Sequence, residues 1–411
     1  MRMKEQTLEM TLTSRASSVR PRTEVRLGLE KLLEDPPAPL REARIGLVCN
    51  QASVNHNFLH AADLLHKHPD IRLTTLFGPQ HGIRGDVQDN MVETAHGMDR
   101  ATGLPVYSLY SETREPTEAM LKDLDVIVFD MQDVGCRIYT FVYTMANCMK
   151  AARAFGKRMV VCDRPNPING VGVEGNVLEA EHASFVGLFP MPTRHGMTVG
   201  ELARLFNEHF SINCDLTVIP MDGWSRKNWM DEIDAPWVLP SPNMPTLDSA
   251  TVFPGTVHFE GTQLSEGRGT TRPFELIGAP YIAPEEYADA LNAIGLPGVF
   301  FRACIFQPTF QKHAGVSCGG AQLHVINRDA FNSVITGIAM VKTAYDMYSD
   351  KFRWKEPPYE YVYDRNPFDV ISGTTAIREA IEQGTDLKAI EESWQPALDE
   401  FKVLRERYLL Y

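Results

Sequence analysis

The residues best suited to chemistry begin in ten consecutive positions, Phe77-Gly-Pro-Gln-His-Gly-Ile-Arg-Gly-Asp86, directly behind the extended apolar run Leu73–Phe77. A strand that stops in a Gly/Pro-rich turn crowded with polar and ionisable side chains, here Gln80, His81, Arg84 and Asp86, is how α/β enzymes hold reactive groups on a rigid scaffold. Further along, Asp130, Gln132, Asp133, Arg137, Tyr139, Asp163, Arg164, Asn166, His195, Glu260, Ser265, Glu266 and Arg268 add carboxylates, planar amides and guanidiniums. That mixture suits a polyhydroxylated, anionic ligand such as an acidic sugar, and paired carboxylates are the machinery of glycoside hydrolysis. Structural roles compete at single positions: Asp163 can brace its Pro-rich turn, and Arg137 can sit in an ion pair.

Other chemistries fit less well. The turn after the first strand, Asn50-Gln-Ala-Ser-Val-Asn55, has no glycine with which to cradle a dinucleotide, and no glycine loop ends in Gly-Lys-Ser/Thr. No nucleotide or other cofactor is therefore expected. His81, Asp86, Asp130, Asp133 and His195 are metal-ligand types, but none stands in an H-E-x-x-H or D-x-D-x-D arrangement, and no metal is expected. Cys136 and Cys162 lie beside apolar neighbours and read as core filling.

The elements that must position these residues alternate. Apolar strand-like runs occur at 45–50, 73–77, 105–110, 125–130, 159–163 and 216–221, separated by helix-like stretches at 56–66, 116–122, 138–155 and 199–210. Such alternation predicts βαβ units and a largely parallel, Rossmann-like sheet covered on both faces. Thr198 with Glu201 has the spacing of a capping box opening one helix. Loops following the strands' carboxyl ends carry Asn50, Gly78–His81, Tyr110, Asp130–Gly135 and Asp163–Pro167, whereas the opposite ends are bland, so one sheet edge is the expected ligand site. From about Thr251 a smaller α+β domain follows, with Gly/Pro-dense loops, a helix at 284–294, strands at 299–306 and 320–326, and a helix near 330–348. The expected division is a disordered leader over 1–24, an N-terminal domain over 25–250 and a C-terminal domain over 251–411.

At 411 residues two domains are the natural expectation. The balance of 40 basic against 53 acidic residues, −13, disfavours nucleic acid and anionic membrane as partners. No apolar run approaches the roughly 18 residues that span a bilayer. The start, Met1-Arg-Met-Lys-Glu-Gln, lacks the apolar stretch of a secretory signal, and Glu5 and Glu9 argue against a mitochondrial presequence. Seven scattered cysteines without a C-x-x-C pair read as reduced and buried in a cytoplasmic protein.

Several ordered, unusual segments resemble the NamZ-type exo-β-N-acetylmuramidase family: Phe77–Gly85, Gly103–Tyr110, Asp130–Thr140, Asp163–Pro167, Ser184–Gly187, Arg194–Thr198, Pro240–Pro245 and Ser265–Thr270. The resemblance runs from about Arg44 to the C-terminus. It implies a Rossmann-like domain and a smaller second domain with the site in the cleft between them. It also implies hydrolytic release of N-acetylmuramic acid from the non-reducing end of peptidoglycan fragments, in cell-wall recycling. The family pattern has Pro-Glu-His-Gly where this chain has Pro79-Gln80-His81-Gly82. Glutamine exchanges no proton at neutral pH, so either another carboxyl, Glu266, Asp133 or Glu93, does the chemistry or the substrate or mechanism differs, and Glu266 is the first choice for general acid. His81 and Asp133 are expected to position the substrate. Arg137, Arg164 and Arg268 are expected to hold the lactyl carboxylate, and Gln80 and Asn166 to bond the acetamido or hydroxyl groups. Arg84, Asp130, Gln132, Tyr139, Asp163, His195 and Ser265 complete the expected binding set. A non-catalytic sugar-binding homologue and a metal-dependent hydrolase are the alternatives.

Overall fold

The computed structural model of the protein describes residues 22–89 and 91–411. Of the expected leader, residues 1–21 lie outside the described residues. Thr23 is already paired, its N–H donating to Glu232 O at 2.8 Å.

The first half builds a seven-stranded sheet from β1 (Arg44–Cys49), β2 (Arg72–Gly78), β3 (Gly97–Met98), β4 (Pro105–Ser108), β5 (Val126–Asp130), β6 (Arg158–Cys162) and β9 (Asp215–Ile219), in the order β3-β4-β2-β1-β5-β6-β9. Every pairing is parallel except that of the short edge strand β3. β1, β5 and β6 are buried almost along their whole length. Their near-continuous apolar sequences follow from having both faces covered. The chain runs from β1 outward to β2 and β4, then returns to lay β5 against the other side of β1. That reversal is the switch point where the loops at the carboxyl ends part and leave a crevice.

The sequence placed these strands, except the short β3, within a few residues, and the capping box is present: Thr198 Oγ1 accepts from Glu201 N at 3.3 Å and Glu201 Oε2 from Thr198 N at 2.9 Å. An antiparallel pair, β7 (Glu174–Val177) and β8 (Pro192–Arg194), stands outside the main sheet.

The second half carries an antiparallel sheet of β10 (Leu276–Ala279), β12 (Cys318–Val325) and β11 (Val299–Phe306), with the helix Pro284–Ile294 against it and the helix Ser333–Met347 packed on that helix. Three helices near the C-terminus, Pro367–Ser372, Ala376–Glu382 and Leu387–Arg405, complete it. The helix Leu247–Thr256 runs through the boundary expected at 250/251, where Phe253-Pro-Gly255 reads as a loop. Tertiary packing overrides the local signal here, because Gly255 and Gly337 let two helices touch backbone to backbone. A Cβ on Gly255 would sit 1.9 Å from Ser333 O, and one on Gly337 2.1 Å from Gly255 O. One apolar cluster runs continuously from Phe129 and Phe141 through Phe253 and Phe274 to Phe368, so the two halves share a core.

Candidate active site

A cleft opens where the two halves meet. The first half contributes Gln80 and His81 from the loop after β2, Tyr139–Phe141 from the loop and first turn leading into the helix Phe141–Ala154, Val186, and Ser241–Met244. The second contributes Phe253, Val257, Glu260, Arg268, Phe274, Tyr359 and Glu360. An aromatic wall with a few convergent polar groups is the usual make-up of a small-molecule site.

Gln80 is clamped. Its Oε1 accepts from Thr140 Oγ1 at 2.8 Å, and its Nε2 donates to Tyr110 Oη and to Glu360 Oε1, both at 3.1 Å. The Tyr110 hydroxyl in turn donates to Glu360 Oε2 at 2.7 Å. Beside this group, His81 Nδ1 lies 2.8 Å from Val87 O, a contact that requires a proton on Nδ1 and leaves Nε2 as the acceptor. Burial pushes His81 down to about 4, so the ring is neutral over the working pH range. Its φ of 70° is strained for a histidine and belongs to the tight turn that carries it.

Two carboxyls line the cleft, and their surroundings push them apart. Burial opposes the charge of Glu260, but the Arg268 guanidinium at 2.5 Å and the Tyr359 hydroxyl at 2.7 Å outweigh it and hold Glu260 below its ordinary value. Glu360 goes the other way. Burial raises its proton affinity, and the bonds from Tyr110 and Gln80 offset that only partly. Neighbouring carboxyls driven in opposite directions divide naturally into a charged group and a proton carrier.

Five of the residues singled out from sequence line the cleft: Gln80, His81, Tyr139, Glu260 and Arg268. Arg268 is the single Arg or Lys among the lining residues. Glu266 stands outside the lining, both oxygens committed to cations, Oε1 at 3.2 Å from Arg268 Nε and Oε2 at 2.8 Å from Lys312 Nζ. Ser265 Oγ accepts from Gly267 N at 3.1 Å and shapes the same turn.

The remaining candidates bond to backbone and side chains outside the cleft lining, and some to one another. Arg164 forks Asp130 through Nε and Nη2 at 2.6 and 2.7 Å and reaches Val54 O at 3.0 Å. Asp163 accepts from Gly200 N at 2.7 Å, Thr198 Oγ1 at 2.8 Å and Tyr411 Oη at 2.7 Å, bracing the start of the helix Val199–Glu208. Gln132 Nε2 donates to Asp133 O and Pro165 O at 2.8 and 2.7 Å, and Asn166 Nδ2 to Met197 O at 3.0 Å. Asp133 accepts from Gly135 N at 2.7 Å and lies 3.3 Å from His195 Nε2. Arg137, fully buried, donates to Ile371 O and Ser372 O, both at 3.0 Å, and Arg84 pairs with Asp99 at the surface. These side chains hold the loops in place.

Sequence reasoning passed over Glu360 and Tyr359, and named Tyr110 only as part of a loop behind a strand. The segment Pro357-Pro-Tyr-Glu-Tyr361 carries an acid flanked by aromatics, but nothing local ties it to a loop 280 residues earlier. Two glycine spacings resemble motifs without serving as such. Gly170-Val-Gly-Val-Glu-Gly175 runs into the ribbon strand β7, and Gly315-Val-Ser-Cys-Gly319 runs through the exposed Ser317 into β12. Among the described residues, the His/Cys/Asp/Glu grouping compact enough to ligate a metal is Glu179, Glu181 and His182, none of which lines the cleft.

Comparison with known proteins decides the family. The N-terminal model of the exo-β-N-acetylmuramidase NamZ matches residues 45–248 and its C-terminal model matches 251–411. This chain belongs to the NamZ family. A peptidoglycan β-N-acetylmuramidase NamZ of Bacillus subtilis (strain 168) is 49% identical over 387 residues, covering 94% of this chain and 91% of the relative. Two crystal structures of DUF1343 family proteins from Bacteroides fragilis NCTC 9343 are similar throughout. One has a TM-score of 0.86 and 36% identity, covering 95% of this chain and all of the other; the second has 0.72 and 27%, covering 94% and 99%. The NamZ architecture is thus an α/β Rossmann-like domain joined to a smaller domain with an antiparallel sheet, and the present cleft lies between them.

Proposed function

We propose that this NamZ-family glycosidase is an exo-acting β-N-acetylmuramidase that releases N-acetylmuramic acid, or a closely related amino sugar, from peptidoglycan fragments during cell-wall recycling in the cytoplasm. What carries the reading is the inter-domain cleft, where a carboxyl held below its ordinary value, a second pushed above it and one guanidinium meet an aromatic wall, in a chain 49% identical to a curated muramidase. Arg268, already paired with Glu260 and Glu266, is the cation of the lining that a lactyl carboxylate would approach, and its planar fork suits that group. Phe253, Phe274 and Tyr139 offer apolar faces to the sugar ring. His81, neutral with Nε2 accepting, suits a sugar hydroxyl.

The test is release of muramic acid from the β-linked disaccharide of N-acetylmuramic acid and N-acetylglucosamine, and of nitrophenol from a 4-nitrophenyl β-N-acetylmuramide. Cleavage of both is expected. Binding without cleavage of either would replace the enzyme reading by that of a sugar-binding homologue, which the amide at position 80 otherwise favours. Activity that chelator treatment abolishes and a divalent metal restores would instead support a metal-dependent hydrolase.

A further inference from the structure

We propose that Glu360 is the proton donor of this chain, carried into the cleft by a turn that ties the second domain to the first. The inference rests on the muramidase reading and names the residue which that reading leaves open.

Placement comes first. Glu360 lines the cleft with Gln80, and its carboxyl is aimed by the Tyr110 hydroxyl at 2.7 Å and the Gln80 amide at 3.1 Å. The backbone that carries it is unusual. Tyr359 and Val362 exchange both main-chain hydrogen bonds, at 3.1 and 2.9 Å, and so close a two-residue turn. Its central residues, Glu360 and Tyr361, have φ of 43° and 65°. Turns of this kind ordinarily take Asn-Gly, because a side chain is strained at positive φ. A glutamate and a tyrosine there persist only because surrounding contacts outweigh the strain, a pattern that clusters at working sites. Those contacts are visible: the Arg114 guanidinium lies 4.1 Å from the ring centre of Tyr110 and 4.5 Å from that of Tyr361, pinning the turn to the first domain.

The chemistry follows from the contrast with Glu260, which Arg268 keeps charged. Glu360 hands its proton to the glycosidic oxygen as the C1–O bond breaks and the bonding electrons leave with that oxygen. The acetamido oxygen of the sugar bonds to C1 meanwhile, and the water that displaces it returns a proton to Glu360. The sum is substrate plus water giving two sugars. When the substrate's own acetamido group attacks C1, one general acid and a residue that orients the acetamido suffice, with no protein nucleophile.

The experiment compares wild type with Glu360→Gln on the natural disaccharide and on the 4-nitrophenyl glycoside, whose leaving oxygen needs no proton. The disaccharide rate is expected to fall at least ~100-fold and the nitrophenyl rate by less than ~10-fold, the difference being the acid's share. In wild type the alkaline limb should likewise be steeper on the disaccharide than on the nitrophenyl glycoside. Equal losses on both substrates would mark Glu360 as a structural anchor of the turn and overturn the assignment, as would an E360Q that still cleaves the disaccharide within about threefold of wild type. If E360Q does not fold, Glu360→Asp carries the test, with the disaccharide slowed more than the nitrophenyl glycoside, or the assignment fails. A wild type that cleaves neither substrate overturns the muramidase reading and this assignment with it. An active wild type with a disaccharide-active E360Q overturns this assignment alone.

Discussion

At position 80 a single functional group changes what its neighbours must do. An amide donates to Glu360 and Tyr110 while accepting from Thr140, so it orients the acid without sharing its proton. Replacing it, Gln80→Glu, sets two carboxyls at the present 3.1 Å separation, where like charges cannot both ionise. The alkaline limb of kcat/KM is then expected to move up by about one pH unit or more, read from pH–rate profiles of the two proteins. An unmoved limb would show that positions 80 and 360 do not share a proton. In wild type the same limb reports Glu360: activity falls as pH rises through its raised value, because the donor form is lost. The pattern Pro79-Gln-His-Gly82 marked this loop from sequence alone, since glycines, a histidine and an amide behind a strand are a local signature. Glu360 has no such signature. Its role depends on Tyr110 and Gln80, which the fold brings in from 250 and 280 residues away.

Among the elements, strands and helices with a clear apolar period were legible because burial on one or both faces dictates their residue types. The helix Pro284–Ile294 and the strand Val299–Phe306 lie where the pattern places them. Leu247–Thr256 does not follow its local signal, and the reason is a close crossing with the helix Ser333–Met347 at Gly255 and Gly337. Gly337→Ala would push a methyl into the Gly255 backbone, and backbone cannot step aside as a flexible side chain can. A loss of about 1–3 kcal/mol in chemical denaturation is expected despite the better helix propensity of alanine. A stabilised variant would mean that the two helices can separate at no cost.

For the whole molecule, a continuous core across both halves lets a cleft residue from each side hold its place. That core also buries histidines. Burial pushes His258 down to about 4, so its folded-state value lies below the ordinary 6.5. The sign follows: its contribution is fully present above pH 6.5 and is lost as pH falls toward 4. Against His258→Asn, wild type should therefore lose ground over that window by on the order of 3 kcal/mol, read from denaturation midpoints at a series of pH values. A difference that stays constant with pH would remove His258 as the source. The amino-acid sequence by itself determined the alternating architecture and the family, because apolar periodicity and turn chemistry act over a few neighbouring residues. It did not separate the polar residues that face the cleft from those that brace the loops. Asp130, Asp163 and Asn166 have the same composition as site residues, and they differ only in which partner lies across the fold. Tertiary structure decided that, and with it which carboxyl is held below its ordinary value and which is pushed above it, because burial and the nearest guanidinium are properties of the folded packing.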